Sequence, residues 1–208
     1  MKNKALLFDL DGVIIDTEPQ YDIFWGKMGE NYNLGIEHFE QKVKGVTLPE
    51  ILSRFFSHLS EEEREKIARA NHEFDLQMDM IPIPGVLEFI EAAKNAGVRM
   101  GLVTSSDDEK LEVVFRELPI KSYFETIVSA DRITKGKPDP MCYLLAAKDL
   151  GFKPEDCIVF EDSFYGIASG NAAGMKVIGL STSNPAESIR DKVAKVIPNF
   201  NSFGLEDL

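Results

Sequence analysis

Five short apolar runs recur along the chain, and each stops at or just before an acid or a hydroxyl. They are "ALLFDL" (5–10), "VRMGLVTSS" (98–106), "YFETIVSA" (123–130), "CIVFED" (157–162) and "KVIGLST" (176–182). Continuous apolar runs of this length, rich in β-branched residues, suit strands buried on both faces. Helical stretches separate them: "PGVLEFIEAAKNAG" (84–97), "DDEKLEVVFREL" (107–118), "DPMCYLLAAKDLG" (139–151) and "YGIASGNAAG" (165–174). Proline near the start and glycine at the stop mark the first of these, and Asp107 and Asp108 suit the positive end of the second. "PAESIRD" reads as a short helix and "KVIPNF" as a last edge strand. Repeated βα units of this kind predict an α/β fold, a Rossmann-like parallel sheet with helices on both faces.

The stretch from Pro19 to Pro84 has a different texture. "PQYDIFWGKMGENY", "IEHFEQKVKG" ending at Gly45, "LPEILSRFFSHL" and "SEEEREKIARANHEFDLQM" are all helical in pattern. Ser60 and Glu63 form a capping-box pair, and Pro82 and Pro84 end any helix at "MIPIPG". The chain therefore divides into a core, 1–17 and 84–208, and a helical, four-helix-type cap, 18–83, inserted directly after the first strand. "DTEP" and "IPIPG" are the expected hinges.

A chain of 208 residues needs no staples to build a core. Its 35 acidic and 23 basic residues give a net charge of −12, which argues against a nucleic-acid partner. Two cysteines, Cys142 and Cys157, lack metal-ligand spacing and read as small core residues in a reducing compartment. "MKNKALLFDLDG" is interrupted by acids too soon for a signal peptide, and no apolar run is long enough to span a bilayer. The expectation is a cytoplasmic protein with no membrane partner.

In an open parallel sheet, ligands bind beyond the carboxyl ends of the strands. Those ends carry Asp9 and Asp11, Thr104 with Ser105 and Ser106, Asp131 with Lys137 in "TKGKPDP", and Glu161, Asp162 and Ser163. Carboxylates gathered at one edge repel one another and call for a hard cation, of which Mg²⁺ fits best. A lysine and hydroxyl or amide donors beside them suit phosphate. A carboxylate there can attack phosphorus and form an aspartyl-phosphate, while a second transfers protons.

"DLDGVIIDT", "VTSS", "KGKPDP" and "FEDS", in this order, resemble the four motifs of the haloacid dehalogenase (HAD) superfamily, and the insertion resembles the cap of its β-phosphoglucomutase-like phosphatases. The resemblance spans essentially the whole chain. It implies Asp9 as nucleophile and Asp11 as general acid/base, with the Asp11 main-chain carbonyl also on Mg²⁺. Thr104 and the Ser105 amide would bind the phosphoryl group and Lys137 would neutralise it. Asp162 would ligate Mg²⁺ directly and Glu161 through water.

The cap match is partial. The sugar-phosphate mutases of this group carry an arginine shortly after a Lys-Gly pair in the cap; this chain has "KGVTLPE", with Leu48 and no nearby arginine. They also carry a histidine where this chain has Tyr21. The resemblance thus implies a Mg²⁺-dependent phosphatase acting on a small phosphorylated metabolite such as a sugar phosphate, and a cap over the site suits a monomer. A hexose-phosphate mutase is the alternative. Tyr21, Trp25, Lys44 and Thr47 are the candidate substrate contacts.

Simpler readings exist for each part. Asp-x-Asp-Gly can be an acidic turn, the Thr-Ser-Ser run a helix N-cap, and Lys137 a surface lysine with Lys135 as its near decoy. Asp16 reads as structural, His38, His58 and His72 as cap residues, and "EEEREK" as a solvated helix face. A receiver domain shares the acids, threonine and lysine, but has no large insertion after its first strand. A metal-free dehalogenase would leave Asp11 and the Glu161-Asp162 pair without a purpose.

Overall fold

The computed structural model describes residues 4–208; Met1–Asn3, assigned by sequence to the core segment, lie outside it. Strand β1 (Ala5–Phe8) is followed by four helices, α1 (Glu18–Asn31), α2 (Phe39–Val43), α3 (Leu48–Phe55) and α4 (Glu61–Asp75). Then come α5 (Val86–Asn95), β2 (Arg99–Val103), α6 (Asp108–Glu117), β3 (Thr126–Val128), α7 (Met141–Leu150), β4 (Cys157–Glu161), α8 (Phe164–Ala172), β5 (Lys176–Leu180), α9 (Ala186–Ile189) and β6 (Lys195–Ile197). Among the described residues the strands form one sheet of order β3-β2-β1-β4-β5-β6, every pair parallel. The chain winds outward from β1 in one direction and from β4 in the other. The gap between the ends of β1 and β4 is thus the topological switch point, where such sheets bind ligands.

Alternation along the strands builds two cores. Leu6 and Phe8 face one side, where Phe8 stacks on Phe160 with ring centroids 4.8 Å apart and Phe89, Phe200 and Phe203 close around Phe160. Ala5 and Leu7 face the other side, against Tyr143, Ala146 and Leu150 of α7. Both cysteines are buried and unpaired in or beside this second core. No helix is long and apolar enough to cross a membrane among the described residues.

Helices α1–α4 bury a separate cluster of Trp25, Phe39, Val43, Val46, Ile51, Phe56 and Ile67. The Ser60–Glu63 capping box forms as the sequence predicts. Two elements are shorter than expected. The helix expected over "IEHFEQKVKG" starts only at Phe39, because His38 before it adopts a left-handed backbone with φ of 52°. The strand expected over "YFETIVSA" keeps only Thr126–Val128, flanked by single 3₁₀ turns.

The entry to and exit from this helical insertion are paired to each other. The Asp16 N–H donates to the Ile81 carbonyl at 2.7 Å, and the Ile83 N–H to the Ile14 carbonyl at 2.9 Å. The insertion also touches the sheet edge elsewhere: the Ser105 hydroxyl donates to the Gly45 carbonyl at 3.1 Å.

Candidate active site

The carboxyl ends of β1, β2 and β4 place their flanking residues around one cavity of about 310 Å³, roofed by the insertion. Asp9, directly after β1, is buried, and its N–H donates to the Phe160 carbonyl of β4. Lys137 is almost fully buried, with its Nζ 3.0 Å from Asp9 Oδ1 and 2.6 Å from Glu161 Oε1. Burial alone would lower the lysine's pKa, but the two carboxylates outweigh it and hold it above its ordinary value. Lys135, the decoy, instead pairs with Asp139 at the surface.

Glu161 is a satisfied hub. Its Oε1 accepts from Lys137 and, at 3.1 Å, from the Tyr143 hydroxyl; its Oε2 accepts from the Asp162 N–H, the Ser163 N–H and the Ser163 hydroxyl. These donors hold its pKa below the ordinary value against the effect of burial. Gly166 lies against this carboxylate, and a Cβ there would overlap it. Asp162 accepts from the Ser183 hydroxyl, while its carbonyl takes the Asn184 side-chain amide at 2.9 Å. The β1 turn passes Asp162 at Gly12, whose φ is +72° and whose Cβ, if present, would collide with the carboxylate. Glycine is required there on both counts.

Asp9, Glu161 and Asp162 offer carboxylate oxygens within 4.8 Å of one another, and Lys137 is the cation bonded to this group. Burial pushes Asp9 well above its ordinary pKa, with Lys137 opposing and Glu161 and Asp11 adding to the shift. Asp162 rises likewise, through burial and then the charges of Glu18, Glu161 and Asp9. Burial thus works against ionising Asp9 and Asp162 unless a further cation joins Lys137, and all the donors of the group are hard oxygens. That chemistry fits a divalent cation such as Mg²⁺.

Asp11 is turned toward a different set of partners. Its Oδ1 accepts from Lys110 Nζ at 2.6 Å and from the Thr17 hydroxyl, and its Oδ2 accepts from the Ser106 hydroxyl at 2.9 Å. Burial alone would raise its pKa, but the Lys110 cation and these donors bring it below the ordinary value. Thr104 and Ser105 line the cavity beside Asp9, and the Thr104 hydroxyl accepts the Ser106 N–H at 3.0 Å. Asp107 caps α6 by accepting from the Lys110 N–H, so the N-cap role expected of the Thr-Ser-Ser run falls to the next residue instead.

Three of the four candidate substrate contacts reach the cavity. Tyr21 and Lys44 line it, and Trp25 lines it as part of the insertion's own core, edge-on to Phe24 and Phe39. Lys44 is tied down, with Nζ 2.9 Å from both Glu18 Oε2 and Asp22 Oδ1. Thr47 is displaced from the expected role: it is the residue before α3, buried, with its methyl packed where a side chain on Gly136 would sit. Asp16 engages the hinge through its backbone. The histidines stay outside the cavity lining.

Several site residues have no expectation in the sequence: Lys110, Asn71, Asp75, Ser183 and Asn184. A signal existed for Lys110 alone. It lies three and four positions before the buried Val113 and Val114, on the apolar face of α6.

The family model described as haloacid dehalogenase-like hydrolase matches residues 6–180. The chain belongs to this family. It is 32% identical over 180 residues to the phosphorylated carbohydrates phosphatase of Thermotoga maritima, covering 84% of this chain and 83% of that one. It is 29% identical over 194 residues to the β-phosphoglucomutase of Bacillus subtilis, covering 88% and 85%. The crystal structure of β-phosphoglucomutase from Clostridium difficile superposes with a TM-score of 0.83 at 27% identity, over 98% of this chain and 94% of that one. Within the HAD-like family, the relatives thus include both phosphatases and mutases of phosphorylated sugars.

Proposed function

We propose that this HAD-like hydrolase is a Mg²⁺-dependent phosphatase of small sugar-type phosphomonoesters, and that residues 18–83 act as a cap over its site. One observation carries the choice between hydrolysis and mutation. Among the described residues lining the cavity, the basic side chain is Lys44, and it is already committed to Glu18 and Asp22. Leu48 lines the wall shortly after the Lys44-Gly45 pair. A mutase must grip two phosphates, and this wall presents no free cation for the second.

In this reading the phosphoryl group lies between Asp9, Thr104, the Ser105 amide and Lys137. A carboxylate oxygen of Asp9 attacks phosphorus and forms the aspartyl-phosphate as the bond to the leaving oxygen breaks. Asp11 donates a proton to that oxygen, then takes one from the water that hydrolyses the intermediate, releasing phosphate and restoring Asp9. Lys137 opposes the charge on Asp9 and on the transferred group. Mg²⁺ would be held by Asp9, Asp162 and the Asp11 carbonyl, with Glu161 behind them, and would supply charge neutralisation for the phosphoryl oxygens. Because the oxygens of Glu161 are taken up by protein donors, its part is to fix Lys137 and the Asp162 loop.

The test is phosphate release from p-nitrophenyl phosphate and a panel of hexose and polyol monophosphates and bisphosphates, with Mg²⁺ and with chelator. Monophosphate hydrolysis that needs Mg²⁺ is expected. Conversion of β-glucose 1-phosphate to glucose 6-phosphate faster than its hydrolysis would establish the mutase instead.

A further inference from the structure

Lys110 stands in an unfavourable place twice over. It is 1% exposed, and a buried ammonium loses its hydration. It also sits in the first turn of α6, where the positive end of the helix repels a cation. Its compensation is a short polar chain that crosses from the sheet to the insertion. Lys110 Nζ donates to Asp11 Oδ1 at 2.6 Å and to the Tyr21 hydroxyl at 2.7 Å, and it lies 4.7 Å from the centre of the Tyr21 ring. The Tyr21 hydroxyl donates in turn to Asp75 Oδ1 at 2.6 Å, and Asn71 donates to Asp75 Oδ2 at 2.8 Å. Asp11 and Lys110 belong to the sheet side, whereas Tyr21, Asn71 and Asp75 belong to helices α1 and α4.

We propose that Lys110 is a positioning residue for Asp11, and that the Tyr21–Asp75 pair on the insertion fixes Lys110 in turn. Donors run one way along the chain, from ammonium to hydroxyl to carboxylate. Tyr21 gives Lys110 both a hydroxyl partner and an aromatic face, and so shields its ion pair with Asp11 from water. A fixed cation also holds the Asp11 carboxylate in one orientation together with Thr17 and Ser106. The proposal rests on the reading of Asp11 as the general acid/base.

A double-mutant cycle in the full-length, Mg²⁺-loaded enzyme tests it, with kcat and KM measured on p-nitrophenyl phosphate and on a hexose 6-phosphate. Lys110→Met is expected to lower kcat by about 30- to 100-fold with KM changed less than about threefold, and Lys110→Arg to recover most of that loss. In an Asp11→Asn background, Lys110→Met should cost less than about a further threefold, because its partner's function is already gone. Tyr21→Phe should lower kcat by about five- to tenfold on the hexose phosphate. If Lys110→Met does not fold, as circular dichroism would show, Lys110→Arg and Tyr21→Phe decide: wild-type kcat in Tyr21→Phe overturns the proposal. So does an equal loss from Lys110→Met in the wild-type and Asp11→Asn backgrounds, the mark of a purely structural lysine. Wild-type kcat in Asp11→Asn alone overturns the acid/base reading beneath it, whereas a crippled Asp11→Asn beside an intact Lys110→Met overturns only the role of Lys110.

Discussion

On the sheet side of the cavity three carboxylates, Asp9, Glu161 and Asp162, lie close together, the first two paired with Lys137, in a place that water barely reaches. On the insertion side Lys44 is buried against Glu18, and its second carboxylate, Asp22, is 37% exposed. Both walls place acids around a lysine, but only the insertion wall has its excess charge in contact with solvent. In the proposed reading the sheet wall is completed by its ligands, a cation for the carboxylates and a phosphoryl group near Lys137. The insertion wall is complete by itself and can shape a leaving group without demanding a charge from it. This contrast predicts that changes on the two sides differ in kind as well as in size.

The largest effect is expected at Asp9. Asp9→Asn removes the attacking oxygen's charge and should lower kcat by roughly 10⁴-fold; steady-state turnover near wild type would end the assignment. Lys137→Met follows. It should lower kcat by about 10³-fold and, because it strands Asp9 and Glu161 without their buried cation, destabilise the fold by about 3–5 kcal/mol. Urea denaturation measures the second figure, and an unchanged midpoint would mean that the cluster is more solvated than its geometry indicates.

Asp162→Asn tests the incompleteness of the sheet wall. Burial and three neighbouring acids push the Asp162 carboxyl well above its ordinary pKa. Its neutralisation should raise the Tm of the chelator-treated protein while abolishing the Tm increase that Mg²⁺ gives the wild type. A variant less stable than wild type under chelator, yet still stabilised by Mg²⁺, would remove Asp162 from the cation site.

On the insertion side, Lys44→Met should raise KM less than about tenfold with kcat nearly unchanged, since the lysine's charge is spent on Glu18 and Asp22. A collapse in kcat would show that it reaches the phosphoryl group.

The smallest effect concerns stability alone. Burial raises the Asp75 pKa from 3.8 to about 6, against the opposing pull of Lys110 and Tyr21. An acid that binds its proton more tightly when folded stabilises the protein fully below its unfolded pKa and loses that contribution as the pH rises through 6. The wild type should lose roughly 2–3 kcal/mol from this group between pH 4 and pH 8. Asp75→Asn should flatten that part of the curve, and parallel pH profiles for the two proteins would contradict it.

What the sequence disclosed follows the same division. Asp9, Thr104, Glu161 and Asp162 lie at strand ends, and strand ends in a parallel sheet share one edge, so a one-dimensional pattern suffices to bring them together. Lys137 follows from its place just before α7. Lys110, by contrast, meets Asp11 across 99 positions and Tyr21 across 89, and Tyr21 meets Asp75 across 54. No periodicity encodes such pairs, and "DDEK" reads first as a charged helix start. Lys44 and Trp25 were recognisable as residues near the site, but their partners Glu18, Asp22 and Phe39 decide what they do there. Thr47 looked equally suitable in the string and faces the wrong way, because the turn into α3 buries it behind the wall.

The paired hinge has a consequence for how such a protein can change. The chain leaves the sheet at Asp16 and returns at Ile81, and backbone hydrogen bonds hold these two points side by side. Sixty-odd residues are therefore hung from a single clasp, and the distance to be bridged is the same whatever lies between. Closing a longer or shorter excursion across that clasp changes the chain entropy only slowly with length, by about 0.6 kcal/mol per doubling. The segment can be exchanged for another helical roof without disturbing strand order or Asp9, Glu161, Asp162 and Lys137, whose side-chain partners all lie outside it. In the proposed reading, selectivity and reactivity are thus written on different lengths of chain, joined by the contacts Lys110–Tyr21 and Ser105–Gly45.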